Sequence, residues 1–189
     1  MRLFVALHLG GDIRERLSRI QETLRGMDAR GSIRWVPPDS IHLTLRFLGE
    51  TPDPEVPGLA SGLGSSLEGQ PAPRLALAGP GGFPSLSRPQ VIWVGLQGDL
   101  RGLCELQRRV EAAVTAYGWA AEKRAFQPHL TLGRVRDPKR PLDRRLKRAI
   151  VNLQVEEKMN ALGRLSLVRS HLGPRGARYE EIASWELDP

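Results

Sequence analysis

Two short segments of this chain carry the same order of residue types: Ile41-His42-Leu43-Thr44-Leu45-Arg46-Phe47-Leu48-Gly49 and Pro128-His129-Leu130-Thr131-Leu132-Gly133-Arg134. The shared core is His-Leu-Thr-Leu. An extended strand turns alternate side chains to opposite faces, so His42 and Thr44 share one face and Leu43 and Leu45 the other. His129 and Thr131 stand in the same relation to Leu130 and Leu132. A single His-x-Thr is an ordinary pair on a half-solvated strand. With only 4 histidines in the chain, however, two accidental pairings with a threonine two positions on have a probability on the order of a few in a thousand. The repetition points to a cleft where two imidazoles and two hydroxyls meet.

That set of groups suits phosphodiester cleavage. An unperturbed imidazole titrates near pH ~6.5 and moves protons close to neutrality. One neutral histidine can deprotonate water while one protonated histidine supplies the departing alkoxide. Threonine hydroxyls can hydrogen-bond the non-bridging phosphate oxygens, where negative charge must be held. Strict alternation places Arg46 on the His42 and Thr44 face as a fixed positive charge. It places Arg134 opposite His129 unless the strand twists at Gly133. Other chemistries find less support: there is no H-E-x-x-H, no cysteine cluster and no G-x-S-x-G nucleophile elbow. No metal or cofactor is expected. His8 ends the first apolar run and lies near the cleft only if that strand is central, and His171 begins a turn.

The elements that must hold these residues follow from periodicity. Arg2 to Leu7 reads as a buried strand. Ile13, Leu17, Ile20, Leu24 and Met27 recur at helical spacing. Pro37-Pro38 lead into the His42 strand. Thr51 to Gln70 reads as a second, poor helix, because Gly58, Gly62 and Gly64 each cost about 1 kcal/mol relative to alanine. Arg74 to Ala78 is a strand, Gly79 to Pro89 a breaker-rich loop, and Val91 to Leu96 an apolar strand. A helix follows with Leu100, Leu103, Leu106, Val110, Ala113, Val114 and Tyr117 on its inner face. Pro141 to Val151 is a short helix, Arg164 to Arg169 a strand, Leu172 to Gly176 a turn, and Tyr179 to Leu187 the last strand. The two halves are alike in outline and together imply an α+β arrangement.

With 189 residues the chain suits one domain, 1–189, with one core. A net charge of +7 favours polyanionic partners. Only 4 of the 28 basic residues are lysine, and such an arginine bias can also follow from genome composition. The basic run from Arg134 to Arg148 reads equally as a solvated surface and as a contact for a phosphate backbone. Cys104 has no partner cysteine and reads as a buried thiol. No stretch approaches the roughly 18 apolar residues of a membrane span, and the N-terminal apolar run is too short for a signal peptide. The expectation is a cytoplasmic monomer without membrane contact.

Paired His-x-Thr motifs, together with Arg2-Leu3-Phe4-Val5-Ala6, Arg34-Trp35-Val36, Phe83-Pro84, Arg88-Pro89 with Trp93, and Ser170 through Pro174 with Gly176 through Tyr179, make the chain resemble the 2H phosphoesterases. It is most similar to their RNA 2′,3′-cyclic phosphodiesterases, historically called 2′-5′ RNA ligases. The resemblance implies a bilobal α+β fold, with two similar antiparallel β-sheets flanking a central cleft and helices outside. It also implies hydrolysis of RNA or nucleotide 2′,3′-cyclic phosphate ends to 2′-phosphates without metal or cofactor. By the same resemblance His42 is the acid that protonates the leaving 3′-oxygen, and His129 is the base that activates water. Thr44 and Thr131 hold the phosphate, with Arg46 and Arg134 as further candidates for substrate binding. Two other readings stay open: a 2′-5′ linkage ligase or hydrolase, and a non-catalytic RNA-binding module. The scarcity of aromatic residues, 5% of the chain, weakens the last.

Overall fold

Leu3, Val5 and Leu7 alternate with Phe4 and Ala6 along Arg2–Leu7, strand β1, and every one of these five side chains is buried. The computed structural model describes residues 1–173 and 176–189. After β1 come α1 (Gly11–Arg25), β2 (Ile33–Trp35), β3 (Leu43–Glu50), α2 (Val56–Leu67), β4 (Arg74–Phe83), β5 (Val91–Gly98) and α3 (Leu100–Ala116). The chain continues through β6 (His129–Val135), α4 (Arg144–Val151), β7 (Asn160–Ala161), β8 (Arg164–Gly173) and β9 (Gly176–Glu186). The strands form two sheets, one in the order β3-β1-β8-β9 and one in the order β2-β6-β5-β4-β7, and all pairings are antiparallel. The α+β class expected from the pattern is therefore the one observed.

Each sheet has one face covered by helices and one left open. α2 and α3 cover the first sheet: Trp185 of β9 meets Gly64 of α2, and Arg46 of β3 meets Glu111 of α3. α1 and α4 cover the second. Gln21 of α1 is fully buried there and donates to two carbonyls, Val36 at 2.7 Å and Leu132 at 2.8 Å. The leucines of both His-Leu-Thr-Leu segments point to the covered side, into one continuous core that includes Leu17, Leu43, Leu63, Leu103, Leu130, Leu132 and Leu146. Each such side chain contributes on the order of 2 kcal/mol by leaving water.

The second helix forms within the expected stretch, and several other expectations need correction. The poor helix α2 forms because its glycines are seats for large rings: a Cβ at Gly62 would lie 2.1 Å from the Tyr117 ring, and one at Gly64 would lie 2.8 Å from Trp185 Nε1. Packing thus offsets weak propensity. The loop expected over Gly79 to Pro89 is strand as far as Phe83, after a break in register between Leu77 and Pro80. Gly81 leaves room there for the Trp93 ring, which a Cβ would meet at 2.1 Å. Cys104 is exposed, one helical step off the buried Leu103 and Leu106. Strands β8 and β9 stay paired to Gly173 and Gly176, so the turn expected over Leu172 to Gly176 is shorter. Its centre, Pro174 and Arg175, lies outside the described residues.

Candidate active site

His42 immediately precedes β3, after a single 3-10 turn at Pro38–Ser40 that brings the Ser40 carbonyl back under the ring. His42 Nδ1 lies 2.8 Å from that oxygen. His129, at the start of β6, repeats the arrangement with Nδ1 2.7 Å from the Gln127 carbonyl. A carbonyl only accepts, so Nδ1 carries the hydrogen in both rings, and Nε2 is the nitrogen left to exchange a proton. Aromatic walls hold the rings. Phe4 stacks on His42 at 4.7 Å and Tyr179 meets it edge-on at 5.1 Å. Phe83 meets His129 edge-on at 4.9 Å, with Trp93 at 5.9 Å.

Burial pushes the His42 imidazole down to about 4. The Ser40 carbonyl works against that shift, and the nearby charges of His8 and His129 add to it. His129 is also lowered by burial, opposed by the Gln127 carbonyl and assisted by Arg134. Both rings are thus neutral near pH ~7 in the unliganded protein, and a charge on His129 bears on His42.

Thr44 pairs with Ala6, and Thr131 with Trp93; both threonines are half-buried on the open faces. Neither hydroxyl makes a hydrogen bond among the described residues, so both are available to a ligand.

Immediately after each threonine the strand bulges. On β1 the partner of Thr44 is Ala6 and the next residue, Val5, pairs with Arg46, leaving Leu45 extra. On β5 the partner of Thr131 is Trp93 and the next, Ile92, pairs with Gly133, leaving Leu132 extra. A bulge sets two residues against one, so strict alternation fails by one position. Arg46 consequently turns away from the cleft, and its expected place beside Thr44 is wrong. It is 8% exposed, with Nε 2.8 Å from Glu111 Oε2, a terminal nitrogen 3.5 Å from Glu122 and another donating to the Ala120 carbonyl. The Nε–H does not point at Glu111, so that contact is an ion pair and not a hydrogen bond. Arg134 turns the other way, onto the open face with His129, where alternation alone would not have put it.

Gly133, the counterpart of Arg46, faces the core instead: a Cβ there would lie 2.5 Å from Ile33 Cγ2 and 3.2 Å from the Arg34 carbonyl. Gly133→Ala is therefore expected to destabilise by about 1–3 kcal/mol, as overpacking does. Urea denaturation checks this, and unchanged stability would mean that the bulge relaxes freely.

The chain matches the family described as LigT like Phosphoesterase twice, over residues 9–93 and again over 94–179. It belongs to that family. Within it, this LigT-like 2H phosphoesterase is similar to the RNA 2′,3′-cyclic phosphodiesterase of Methanothermobacter thermautotrophicus, with 32% identity and 99% of each chain covered. The Thermus thermophilus protein of the same name is 36% identical, covering 99% of this chain and 90% of its own. Among solved structures, TT0787 of Thermus thermophilus superposes with a TM-score of 0.82 at 27% identity, covering 99% of this chain and 98% of its own. E. coli LigT complexed with NADP+ gives 0.74 at 26% identity, covering 100% and 98%.

The aromatic walls of this LigT-like site were not assigned from sequence, although Phe83, Trp93 and Tyr179 stand in the segments that carried the resemblance. Their role depends on cross-strand neighbours, which periodicity does not report. His8 gains a place because β1 is central in its sheet. Its Nε2 lies 2.8 Å from Ser166 Oγ, which donates to Glu181 at 2.7 Å. Against the upward push of partial burial, the Ser166 hydroxyl and Arg164 hold the Glu181 carboxyl below its usual range. Burial lowers His8. His171 Nε2 pairs with Glu180 at 2.7 Å, well exposed. The basic run divides. Arg134 faces the cleft, whereas Arg145 and Arg148 line a groove of about 610 Å³ between α1 and α4, on the covered side of the second sheet. That groove contains neither histidine of the pair, so volume does not mark this site.

Proposed function

We propose that this chain hydrolyses RNA or nucleotide 2′,3′-cyclic phosphates to 2′-phosphates by a metal-independent, two-histidine mechanism, as a single domain of two lobes. The observation that carries the reading is the matched pair of imidazoles, each anchored through Nδ1–H to a carbonyl two residues upstream, with Nε2 making no hydrogen bond among the described residues. The relatives named RNA 2′,3′-cyclic phosphodiesterase support the substrate class, as does the E. coli LigT structure complexed with 3′-AMP.

His129 takes a proton from water as the oxygen attacks phosphorus. The bond from phosphorus to the 3′-oxygen breaks, and His42 delivers its proton to that oxygen, leaving a 2′-phosphate and a 3′-hydroxyl. The Thr44 and Thr131 hydroxyls donate to the two non-bridging oxygens. The division of acid and base follows the family resemblance, since the two imidazoles are anchored alike. At neutral pH an acid held near 4 would carry its proton only about once in a thousand molecules. The bound phosphodiester brings one negative charge beside the ring, which raises its pKa and so the fraction of molecules that carry the proton. The acid is thus armed by its substrate. Hydrolysis of a 2′,3′-cyclic nucleotide in the presence of EDTA, with the product isomer identified by NMR, tests the reading. Failure to turn over would overturn it, and loss of activity on chelation would overturn its metal independence.

The pH dependence has a definite sign. The base must be neutral, so the rate falls as pH drops through its pKa; the acid must be protonated, so the rate falls as pH rises through its pKa. Burial lowers both in the free protein. The bell for kcat/KM should therefore centre below pH ~6.5, with apparent values that belong to the coupled pair. The bell for kcat, which reports the anion-bound enzyme, should lie at higher pH. A kcat/KM that climbs steadily through pH ~9 would point to hydroxide attack instead.

A further inference from the structure

A third imidazole stands in the same row as His42. Leu7 of β1 pairs with Leu43 on one side and with Leu165 on the other. The next residue, His8, therefore lies between His42 and Arg164, whose carbonyl accepts from the His8 backbone N–H at 2.8 Å. Opposed residues of an antiparallel pair project to the same face, which puts His8 on the open side with Ala6, Thr44 and His42. Behind it stand Ser166, which is fully buried, and Glu181. The order of hydrogens along this line is fixed. A carboxylate only accepts, so the single Ser166 hydrogen goes to Glu181 at 2.7 Å, and Ser166 Oγ takes the His8 Nε2–H at 2.8 Å. Nδ1 of His8 is then the bare nitrogen, the reverse of His42 and His129. It makes no hydrogen bond among the described residues. Burial pushes the imidazole down, opposed by Glu181 and Glu186 and assisted by Arg164 and Arg14, so the ring is neutral near pH ~7 and Nδ1 is an acceptor.

The likeness of the two lobes does not account for His8. Across from His129 the corresponding residue is Gly95, which has no side chain. Along β1, Phe4 and His8 flank Ala6, the partner of Thr44. The wall beside His42 thus has an aromatic side, Phe4 with the exposed Phe47 and Tyr179, and a polar side, His8 with Ser166 and Glu181. Arg14 of α1 adds a cation to the polar side: its charge bears on His8, it forms no salt bridge among the described residues, and its Nε is buried without a partner. In the proposed displacement water, phosphorus and the 3′-oxygen lie in line from His129 to His42, so the ribose stands on the His42 side. Two branches leave that ribose, the base from C1′ and the chain from C5′. An exposed aromatic surface suits the face of a base, and the polar side suits the sugar and phosphate that precede it. We propose that His8 recognises the nucleotide preceding the cyclic phosphate, its Nδ1 accepting a hydrogen bond from the 2′-hydroxyl of that ribose. Ser166 and Glu181 are positioning residues that hold its tautomer. This inference rests on the proposed function and makes the preferred substrate an RNA whose last two sugars are both ribose, since the 2′-hydroxyl is what separates RNA from DNA at a given place.

Binding of product-like dinucleotides tests this without turnover. The probes are a diadenylate ending in a 2′-phosphate and the same molecule with 2′-deoxyribose in its first residue. Wild-type protein should bind the all-ribose probe about tenfold more tightly, as expected of one hydrogen bond whose acceptor is otherwise left bare. His8→Phe, which keeps a ring and removes the acceptor, should bring that ratio to about one. Glu181→Gln tests the tautomer with His8 intact. Arg164 holds the outer oxygen of residue 181, so the introduced amide donates to Ser166, the serine hydrogen turns to His8 Nε2, and the imidazole hydrogen moves to Nδ1. The ratio should fall towards one there too. Both probes meet the same folded protein, so partial unfolding of a variant leaves the ratio unaffected. A wild-type ratio near one, or a preference that survives His8→Phe, would overturn the proposal. A preference that survives Glu181→Gln alone would overturn the hold of Ser166 and Glu181 on the tautomer. Hydrolysis of adenosine 2′,3′-cyclic phosphate by the wild type, a substrate with no preceding ribose, is measured alongside and reports separately on the catalytic reading.

Discussion

Replacing either His42 or His129 with alanine should lower turnover of a 2′,3′-cyclic nucleotide by about 10²–10⁴-fold, the range that proton transfer by a positioned side chain supplies. The double replacement should be scarcely worse than the more damaging single one, because acid and base act within one displacement and either loss disables it. Both rings stand on the open faces of their sheets, and the leucines that anchor those strands lie on the other side. The variants should therefore stay folded. The main structural loss is the stacked contact with Phe4 for His42 and the edge contact with Phe83 for His129, each worth on the order of 1 kcal/mol. Circular dichroism and thermal melting would verify folding, and steady-state rates the catalytic effect. A single variant with wild-type turnover would remove that histidine from the mechanism.

The second large effect concerns stability. Arg46→Met should destabilise by about 3 kcal/mol, the lower end of the range for breaking a buried pair, because Glu111 keeps partial contact with water and loses its nearest cation. Replacing both partners, Arg46→Met with Glu111→Leu, should recover most of that loss, since the unpaired charge is what costs. The folded fraction of either variant should turn over substrate at the wild-type rate, because the guanidinium lies under the sheet against α3. Urea denaturation with parallel assays separates the two outcomes. If Arg46→Met instead kept its stability and lost activity by a factor of a hundred or more, the arginine would belong to the cleft after all.

The contrast between Arg46 and Arg134 shows where reading from sequence stops. Alternation within His-Leu-Thr-Leu is enough to place His42, Thr44, His129 and Thr131, because four residues of period two need no knowledge of the neighbouring strand. The next residue does need it. A bulge is a mismatch between two strands, and nothing in Leu45 or Leu132 alone announces which partner will be skipped. The same limit explains the extended β4: Gly79 to Gly82 look like breakers until Trp93 is known to lie across Gly81. Helices are more legible, since their buried faces repeat within one element. Counting Cys104 as apolar, instead of following its angle from Leu103 and Leu106, puts it on the wrong side of α3.

The path of the chain between the two sheets bears on how the enzyme can move. β1 lies in the first sheet, β2 in the second, β3 back in the first, and β4 in the second, and the return from β7 to β8 makes a fourth crossing. The boundary between the two family matches falls inside β5, between Trp93 and Val94. Neither half is therefore a separable ancestor-like unit, and a cut there would divide a strand paired on both sides. A fabric sewn through at four places does not open like a book. Swinging the sheets apart would open the continuous core that residues of both sheets share, including Leu43 and Leu45 of the first and Leu130 and Leu132 of the second. The spacing between the two imidazoles is in this sense set by the shared core as the chain folds.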